Sequence, residues 1–206
     1  MPRGRLITIE GIDGAGKSTL AGSLHDALLA RGVDVLALRE PGGVAVAERI
    51  RTLVKDPALE IAPRTEALLY AASRAQLVAE LVKPALAAGR LVLLDRYVDS
   101  SLAYQGAGRG LGVEAVAAIN AFATGGLVAD RTLLLAIDPA AGRARRGGRE
   151  VAPDRLEREA DPFFAAIAEA YAELAAREPG RVRVLDASAA PERVLAEALE
   201  AIADLL

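Results

Sequence analysis

A glycine-rich segment near the front of the chain restricts its fold more than any other feature. The short apolar run Leu6–Ile9 leads into GIDGAGKS at residues 11–18, and a helical pattern begins at the end of that segment. A strand, a glycine-rich turn and a Gly-Lys-Ser helix start are typical of a P-loop, which binds the phosphates of a nucleoside triphosphate. Small residues let successive N–H groups face one phosphate, as does the positive helix end. We therefore predict that Lys17 bridges the terminal phosphates and that Ser18 holds Mg²⁺.

The composition favours one domain over residues 1–206. Hydrophobic residues make up 52% of the chain but aromatic ones only 3%, so the predicted core consists mainly of Ala, Leu and Val. A formal net charge of −3 argues against a nucleic-acid or anionic-membrane surface over the whole protein. Cysteine is absent, which excludes disulfides and cysteine-ligated metals. Without a signal-like segment or a run of membrane-spanning length, we expect a soluble cytoplasmic protein.

Short apolar runs alternate with longer helical patterns, which is typical of βα units and a parallel sheet. The predicted strands are Leu6–Glu10, Val33–Leu38, Leu91–Asp95, Thr132–Ile137 and Val182–Leu185. The predicted helices are Lys17–Ala30, Ala45–Val54, Thr65–Ala87, Val113–Ala123, Pro162–Ala176 and Pro191–Leu206. Continuous aliphatic strands suit a sheet that is covered on both faces. The expected fold is therefore a three-layer α/β P-loop fold, with a five-stranded parallel sheet flanked by helices.

The segment Ala141–Pro153 lacks apolar periodicity and is rich in glycine and arginine. In isolation, such a composition suits a solvated loop equally well. In a chain with a phosphate-binding loop, it predicts a short lid whose arginines close over the phosphates and exclude water. The candidate arginines are Arg143, Arg145, Arg146 and Arg149.

Polar residues follow the second and third predicted strands. Asp95 ends the run LVLLD, an arrangement that delivers a carboxylate to a metal beside the phosphate loop. We predict that Asp95 and Ser18 form the Mg²⁺ site, with Asp95 acting largely through water. Arg39 and Arg96 also follow strands, and ligands of open parallel sheets bind beyond the carboxyl ends of the strands. Two guanidinium groups at this edge predict a second anion pocket.

Taken together, the motifs resemble those of bacterial thymidylate kinases. The resemblance rests on GIDGAGKST at 11–19, REPGG at 39–43, Tyr70 with Arg74, DRY at 95–97 and SSLAYQG at 100–106. It runs in matching order from about Leu6 to the C-terminus, and SSLAYQG is its most diagnostic part. The resemblance implies that the γ-phosphoryl group of ATP passes to dTMP, giving ADP and dTDP, in a homodimer that uses Mg²⁺.

The resemblance also implies roles on the acceptor side. Tyr70 stands where the family has an aromatic residue, usually Phe, that stacks on thymine, and Arg74 matches an arginine that reaches a carbonyl oxygen of the base. Tyr104 and Gln105 match residues beside the deoxyribose, where Tyr104 would exclude a 2′-hydroxyl group. The implied dTMP-binding residues are Arg39, Glu40, Pro41, Tyr70, Arg74, Arg96, Ser101, Tyr104 and Gln105, with Arg39 and Arg96 on the acceptor phosphate.

On the donor side, Asp13 matches an acid near the gap between donor and acceptor, and Asp186 opens a loop like the family's loop near adenine. Some relatives carry an arginine where this chain has Gly14, so the catalytic arginine is expected from the lid. Arg149 is preferred for the transferred phosphoryl group and Arg143 for packing on adenine, although the choice among the lid arginines stays open. The implied ATP-binding residues are Gly11, Ile12, Asp13, Gly14, Ala15, Gly16, Lys17, Ser18, Thr19, Arg143 and Asp186, and the implied catalytic residues are Lys17, Arg96, Arg149 and Asp13.

Two other kinase classes share much of this pattern. A P-loop deoxynucleoside kinase needs a carboxylate base near the second strand, for which Glu40 could be mistaken, but a neutral acceptor does not require two arginines. Another pyrimidine monophosphate kinase is the other alternative. A GTP-dependent switch would carry an Asn-Lys-x-Asp element, which this chain lacks. His25, the one histidine, is expected to be structural or exposed.

Overall fold

The computed structural model describes residues 3–147 and 154–206, and the strands of that part form one parallel sheet in the order β2-β3-β1-β4-β5. The strands are β1 (Leu6–Glu10), β2 (Val35–Arg39), β3 (Leu91–Asp95), β4 (Arg131–Ala136) and β5 (Val182–Asp186). Thr8 of β1 pairs in register with Leu94 of β3 and with Thr132 of β4. The predicted five-stranded parallel sheet is thus confirmed, and the strand that carries the glycine-rich loop is central.

Helices cover both faces of the sheet. They are α1 (Lys17–Ala30), α2 (Ala45–Lys55), α3 (Pro63–Leu77), α4 (Lys83–Ala87), α5 (Val98–Ser101), α6 (Val113–Thr124), α7 (Pro139–Gly147), α8 (Asp161–Arg177) and α9 (Pro191–Ala201). Successive side chains of a strand point to opposite faces. Ile7 accordingly packs in one buried cluster with Leu24 of α1, whereas Leu6 packs in another with Leu77 of α3. Among the described residues, no helix combines the length and apolar character that crossing a bilayer requires.

Strand β2 begins two residues later than predicted, because the end of α1 uses the residues before it. Gly32 has a φ of 77° and donates its N–H to the Leu29 carbonyl at 2.9 Å. Val33 donates its N–H to the Leu28 carbonyl at 3.1 Å. This pair of bonds is a Schellman cap, so Val33 closes the helix rather than opening the strand.

The long helix predicted over Thr65–Ala87 is a continuous helical run with a change of register. α3 passes into a π-helical turn, Val78–Val82, and then into α4. The turn lies just before Pro84, whose missing N–H interrupts the α-helical hydrogen-bond ladder. The last predicted helix similarly ends at Ala201, and a 3₁₀ turn, Ala203–Leu205, follows it.

Two helical segments fall where no helix was predicted. The first consists of α5 and the π-helical turn Leu102–Gly108, which together contain the whole SSLAYQG segment. α7 occupies the first part of the predicted lid, and Asp138 caps it by accepting from the N–H groups of Ala140 at 2.8 Å and Ala141 at 3.2 Å. An aspartate followed by proline is a strong helix start, and the density of arginine and glycine obscured it. The rest of the lid, residues 148–153 with Arg149, lies outside the described residues.

Candidate active site

Strands β1, β2 and β3 end at one cleft, as the sheet order requires. The glycine-rich loop follows β1, Arg39 ends β2, and Asp95 and Arg96 stand at the end of β3. The structure brings together in this cleft the predicted Lys17, Ser18, Asp95, Arg39, Glu40, Pro41, Tyr70, Arg74, Arg96, Ser101, Tyr104 and Gln105. One cleft therefore contains both predicted anion sites.

The glycine-rich loop has the backbone that a phosphate cradle needs. Gly11, Gly14 and Gly16 have φ values of 137°, 87° and 95°, which side-chain-bearing residues rarely adopt. Lys17 is only 7% exposed and donates from Nζ to the Ile12 carbonyl at 2.8 Å. Burial lowers the pKa of Lys17 to about 8, and the charge of Arg96 acts in the same direction. The loop thus surrounds a buried amine whose charge an anionic ligand would stabilise.

A hydroxyl group and a carboxylate meet at the start of α1. Ser18 Oγ donates to Asp95 Oδ2 at 2.8 Å. The position of the carboxylate is fixed by strand pairing, since Asp95 lies opposite Ile9 of β1 and Arg39 of β2. Hydroxyl and carboxylate oxygens are ligands that Mg²⁺ prefers, so these two residues fit the metal that the sequence predicts.

Arg96 is the hub of a hydrogen-bonded group on the phosphate loop. Its φ of 70° is the one positive value at a non-glycine residue in the described part of the chain. Nη2 donates to Asp13 Oδ1 at 2.5 Å and to the Tyr104 hydroxyl oxygen at 3.1 Å. The Tyr104 hydroxyl donates to Asp13 Oδ2 at 2.9 Å, and its ring centroid lies 4.9 Å from the guanidinium carbon. Three residues predicted separately therefore form one hydrogen-bonded unit, in which Arg96 has a strained backbone conformation.

A buried carboxylate supports Arg96 from below. Glu10 accepts the Tyr97 N–H at Oε1 at 2.7 Å, and at Oε2 it accepts the hydroxyls of Ser100 at 2.5 Å and Tyr171 at 3.0 Å. Ser100 Oγ in turn accepts from Arg96 Nη1 at 3.1 Å. Burial raises the pKa of Glu10, and the charge of Asp99 raises it further. Sequence reasoning missed this support, although an acid that ends the aliphatic strand LITIE was a visible signal.

Arg74 is buried and fully committed to protein acceptors. It donates to Glu40 Oε2 from Nε at 2.7 Å and pairs with the same oxygen through Nη2 at 2.6 Å. Nη1 donates to Ser101 Oγ at 2.9 Å and to Asn120 Oδ1, and Nη2 donates to the Tyr97 carbonyl at 2.8 Å. These acceptors match the five N–H groups of a guanidinium, so any contact with a base has to share them. The contact between Arg74 and thymine stays a prediction.

Glu40 presents a second, unsatisfied oxygen in the same cleft. Among the described residues its buried Oε1 atom has no hydrogen-bond partner. Burial raises the pKa of Glu40 to about 7, and the neighbouring Arg74 only partly offsets this effect. Because Oε2 is committed to Arg74, Oε1 is the oxygen of this carboxyl group that is left for a ligand.

The outer edge of the cleft carries the predicted Arg39 together with two cations that sequence reasoning missed. Arg39 is 56% exposed and donates from Nη2 to Glu48 Oε1 at 3.0 Å. Arg51 and Lys55 also line the cleft, and Arg51 donates to the Pro41 carbonyl at 2.8 Å. Two cations four residues apart on the helix after REPGG were a usable signal, because that spacing places both on one helix face.

The lid helix α7 packs directly on the phosphate loop. A Cβ atom on Gly142 would lie 3.0 Å from the Asp13 carbonyl oxygen and 3.1 Å from Ile12 Cδ1. A side chain at position 14 would collide with the backbone of Gly142. The close approach of Gly142 therefore leaves no room for a side chain at position 14, and a catalytic arginine from the lid stays a prediction.

The predicted adenine-side residues lie apart from the cleft. Arg143 forms an ion pair with Asp161 at the start of α8, and Arg145 Nη1 donates to the Ala187 carbonyl at 2.8 Å. Asp186 Oδ1 accepts the N–H of Ser188 at 2.9 Å and its hydroxyl at 2.6 Å, which closes the loop after β5. Neither Arg143 nor Asp186 lines the cleft within the described ranges. The structure does, however, join α7 to the predicted adenine loop through Arg145.

Comparisons with known proteins agree with the geometry. The family model described as thymidylate kinase matches residues 9–198. The chain is 48% identical to the thymidylate kinase of Lactobacillus delbrueckii, covering 97% of this chain and 96% of that protein. It is also 48% identical to the thymidylate kinase of Deinococcus radiodurans, covering 99% and 98% of the two chains. The crystal structure of the thymidylate kinase from Ehrlichia chaffeensis superposes with a TM-score of 0.77 at 26% identity, covering 97% and 98%. This chain belongs to the thymidylate kinase family.

Proposed function

We propose that this member of the thymidylate kinase family, which phosphorylates dTMP to dTDP, binds ATP on the glycine-rich loop and dTMP in the adjoining part of the cleft. The observation that carries the proposal is the single cleft that joins Lys17 to Arg39 and Arg96. Two phosphorylated ligands, one at each of these anion sites, would face each other across Asp13. This arrangement suits transfer between two phosphates better than transfer to a neutral hydroxyl group, because an uncharged acceptor needs no second cationic site.

Charge neutralisation and alignment are the main contributions of the protein. Both the acceptor phosphate and the donor are anionic, so their mutual repulsion must be cancelled before they come into line. Lys17 would neutralise the terminal phosphates of ATP, and Arg96 and Arg39 would hold the acceptor phosphate. The acceptor oxygen is already ionised near neutral pH, so no side chain has to remove a proton. Arg149 remains our candidate for the lid arginine that contacts the transferred group.

Ser18 and Asp95 are the residues that would hold Mg²⁺. When bound, the ion neutralises phosphate charge and orients the oxygens of ATP. The hydrogen bond between Ser18 Oγ and Asp95 Oδ2 already holds these two candidate metal ligands together at the end of the loop. The chain's own residues therefore supply a small oxygen site, and the phosphates would complete it.

Recognition of the deoxynucleoside would fall to the residues around Tyr104. Tyr104 is only 4% exposed and bonded to both Asp13 and Arg96, so its ring is a rigid wall that a 2′-hydroxyl group would meet. Tyr70 would stack on the base and Gln105 would contact the sugar. Arg143 and Asp186 would pack near adenine, on the side where Arg145 joins α7 to the loop after β5.

We also propose a cytoplasmic homodimer. α3 packs against both α2 and α6, and each of these helices carries an exposed apolar residue. Leu53, Leu68 and Phe122 are 47%, 56% and 93% exposed. A second copy that covers these side chains would remove apolar surface from water.

A panel of acceptors tests the proposed function. Purified protein with Mg²⁺ and ATP should form ADP fastest with dTMP and next fastest with dUMP. Thymidine should not be phosphorylated, because it brings no anion for Arg39 and Arg96. Turnover of thymidine without turnover of dTMP would instead identify a deoxynucleoside kinase.

A further inference from the structure

We infer that Glu66 is a positioning residue that ties the acceptor subsite to the segment after the lid. Glu66 lies on α3 and its side chain is fully buried. The inference deepens the proposed function, because it rests on Gln105 being part of the deoxynucleoside subsite. Glu66 would link two parts of the cleft that are far apart in sequence.

The Glu66 carboxylate has three protein partners, all from distant parts of the chain. Oε1 accepts from Gln105 Nε2 at 2.9 Å and from Arg109 Nε at 3.2 Å. Oε2 accepts from Arg109 Nη2 at 3.1 Å and from Arg155 Nη2 at 2.6 Å. A buried carboxylate is costly unless it is paired and hydrogen-bonded, and here two guanidinium groups and an amide meet that requirement.

Glu66 fixes the orientation of Gln105. An ionised carboxylate only accepts hydrogen bonds, so it holds the NH₂ end of the Gln105 amide and never the oxygen end. Gln105 is one of the residues that line the cleft, and with its NH₂ group on Glu66 its amide oxygen is left for another donor. A neutral amide in place of Glu66 could pair with either the NH₂ group or the oxygen of Gln105, so the orientation of Gln105 would no longer be fixed.

Arg155 connects the same carboxylate to the chain that follows the lid. Its Nε donates to the Val54 carbonyl at 3.1 Å, and its N–H to the Lys55 carbonyl at 3.4 Å. Asp154 pairs with Lys55 Nζ at 2.7 Å. The segment Asp154–Glu157 is thereby fastened to the end of α2 and to α3.

That segment forms one wall of the cleft. Asp154, Leu156 and Glu157 line the cleft, while Arg155 donates to the buried Glu66 carboxylate. Arg109 extends the link, because it pairs with Glu159 at 2.6 Å and lies 4.8 Å from the ring centroid of Phe163 at the start of α8. The Glu66 carboxylate therefore holds both Gln105, which would contact dTMP, and Arg155, which belongs to the segment that forms this wall.

The test compares Arg155→Gln with Arg155→Lys, and uses Arg177→Gln as the matched control. Arg177 is an exposed arginine of α8 that pairs only with Glu173 among the ion pairs of the described residues. Arg155→Gln should raise the KM for dTMP about tenfold and leave the KM for ATP within about threefold, as expected when one charged hydrogen bond is lost on the acceptor side alone. Arg155→Lys should recover part of the loss, and Arg177→Gln should match wild type.

Amide hydrogen exchange supplies a readout that a bracing role alone would not change. In wild type, dTMP without ATP should protect amides of residues 154–160, and this protection should be lost in both Arg155→Gln and Glu66→Gln. If dTMP protects the segment equally in wild type and Arg155→Gln, or if the two KM values rise together with a fall in Tm, the inference is overturned. Wild-type turnover of dTMP is measured separately, so failure of the proposed function would be seen before any variant is compared.

Discussion

Lys17 shows how burial sets the working range of a single side chain. The amine is enclosed by its own loop, and burial lowers its pKa to about 8. Only the protonated form can neutralise phosphate, so the free enzyme loses its ATP site as the pH rises through that value. Bound ATP, being anionic, raises the pKa of Lys17 again.

The pH dependence of the two kinetic parameters should therefore differ. We expect kcat/KM for ATP to fall as pH rises through about 8, whereas kcat should fall only at higher pH. Folding lowers the pKa of Lys17 from 10.5 to about 8, so between these two pH values the unfolded chain binds more protons than the folded chain. In this range the contribution of Lys17 to the free energy of unfolding rises with pH. Steady-state rates between about pH 6.5 and 9.5 check the expectation. Lys83→Gln is the control, since it alters an exposed lysine and should leave the pH profile unchanged. A wild-type kcat/KM for ATP that does not change with pH would contradict the prediction for Lys17.

A substitution at Tyr171 tests whether the buried Glu10 near Arg96 acts as a charged acceptor. Tyr171→Phe removes a donor to the buried Glu10 carboxylate and should lower the free energy of unfolding by about 2 kcal/mol. Tyr97→Phe is a matched control, because its hydroxyl donates to the neutral Leu127 carbonyl at 2.9 Å and should cost only about 1 kcal/mol. Urea unfolding measures both. Equal losses would show that Glu10 does not act as a charged acceptor.

The contact between α7 and the phosphate loop depends on glycine. In most helices, replacing glycine with alanine stabilises the helix by up to about 1 kcal/mol. At Gly142 the added methyl group would press on the Asp13 carbonyl and on Ile12, so the helix or the loop must shift. The arrangement of the loop is therefore linked to the seating of the lid helix.

Gly142→Ala should lower kcat about tenfold or more, since a displacement of under an ångström at a phosphate site has a large effect on transfer. Gly22→Ala is the control, because Gly22 is an exposed glycine of α1 with no neighbour within 4 Å of an added Cβ atom. The control should keep wild-type kinetics. A fully active Gly142→Ala would show that α7 does not need its close approach to the loop.

Local signals made some elements predictable and hid others. β1, the glycine-rich loop and α1 were predicted to the residue, because each carries its own pattern of strand, turn and helix start. The start of β2 was wrong because a helix cap at Val33 looks like strand sequence. α7 was missed because its capping pair, Asp138 and Pro139, precedes a segment whose arginines suggest a loop. Glu66 could not have been predicted, since its partners lie 39, 43 and 89 residues away and only the fold brings them together.

The proposed homodimer makes a prediction for the assembled protein. Light scattering after size exclusion should give twice the chain mass for wild type. Phe122→Asp should shift the equilibrium towards monomer, because an aspartate would have to be buried in an apolar interface. Glu114→Gln, on the same helix α6, is the control and should stay dimeric. A wild-type protein that is monomeric at all concentrations would contradict the proposal.

The account depends on one cleft that aligns two phosphorylated nucleotides, and a ligand that contains both tests this most directly. The affinity of an adenosine–thymidine pentaphosphate, measured by calorimetry, should exceed that of ATP and of dTMP by at least about 100-fold, because both anion sites are filled by one molecule. Lys17→Met and Arg96→Met should each abolish that gain. A pentaphosphate that binds no more tightly than ATP, or that keeps its affinity in Arg96→Met, would contradict the account.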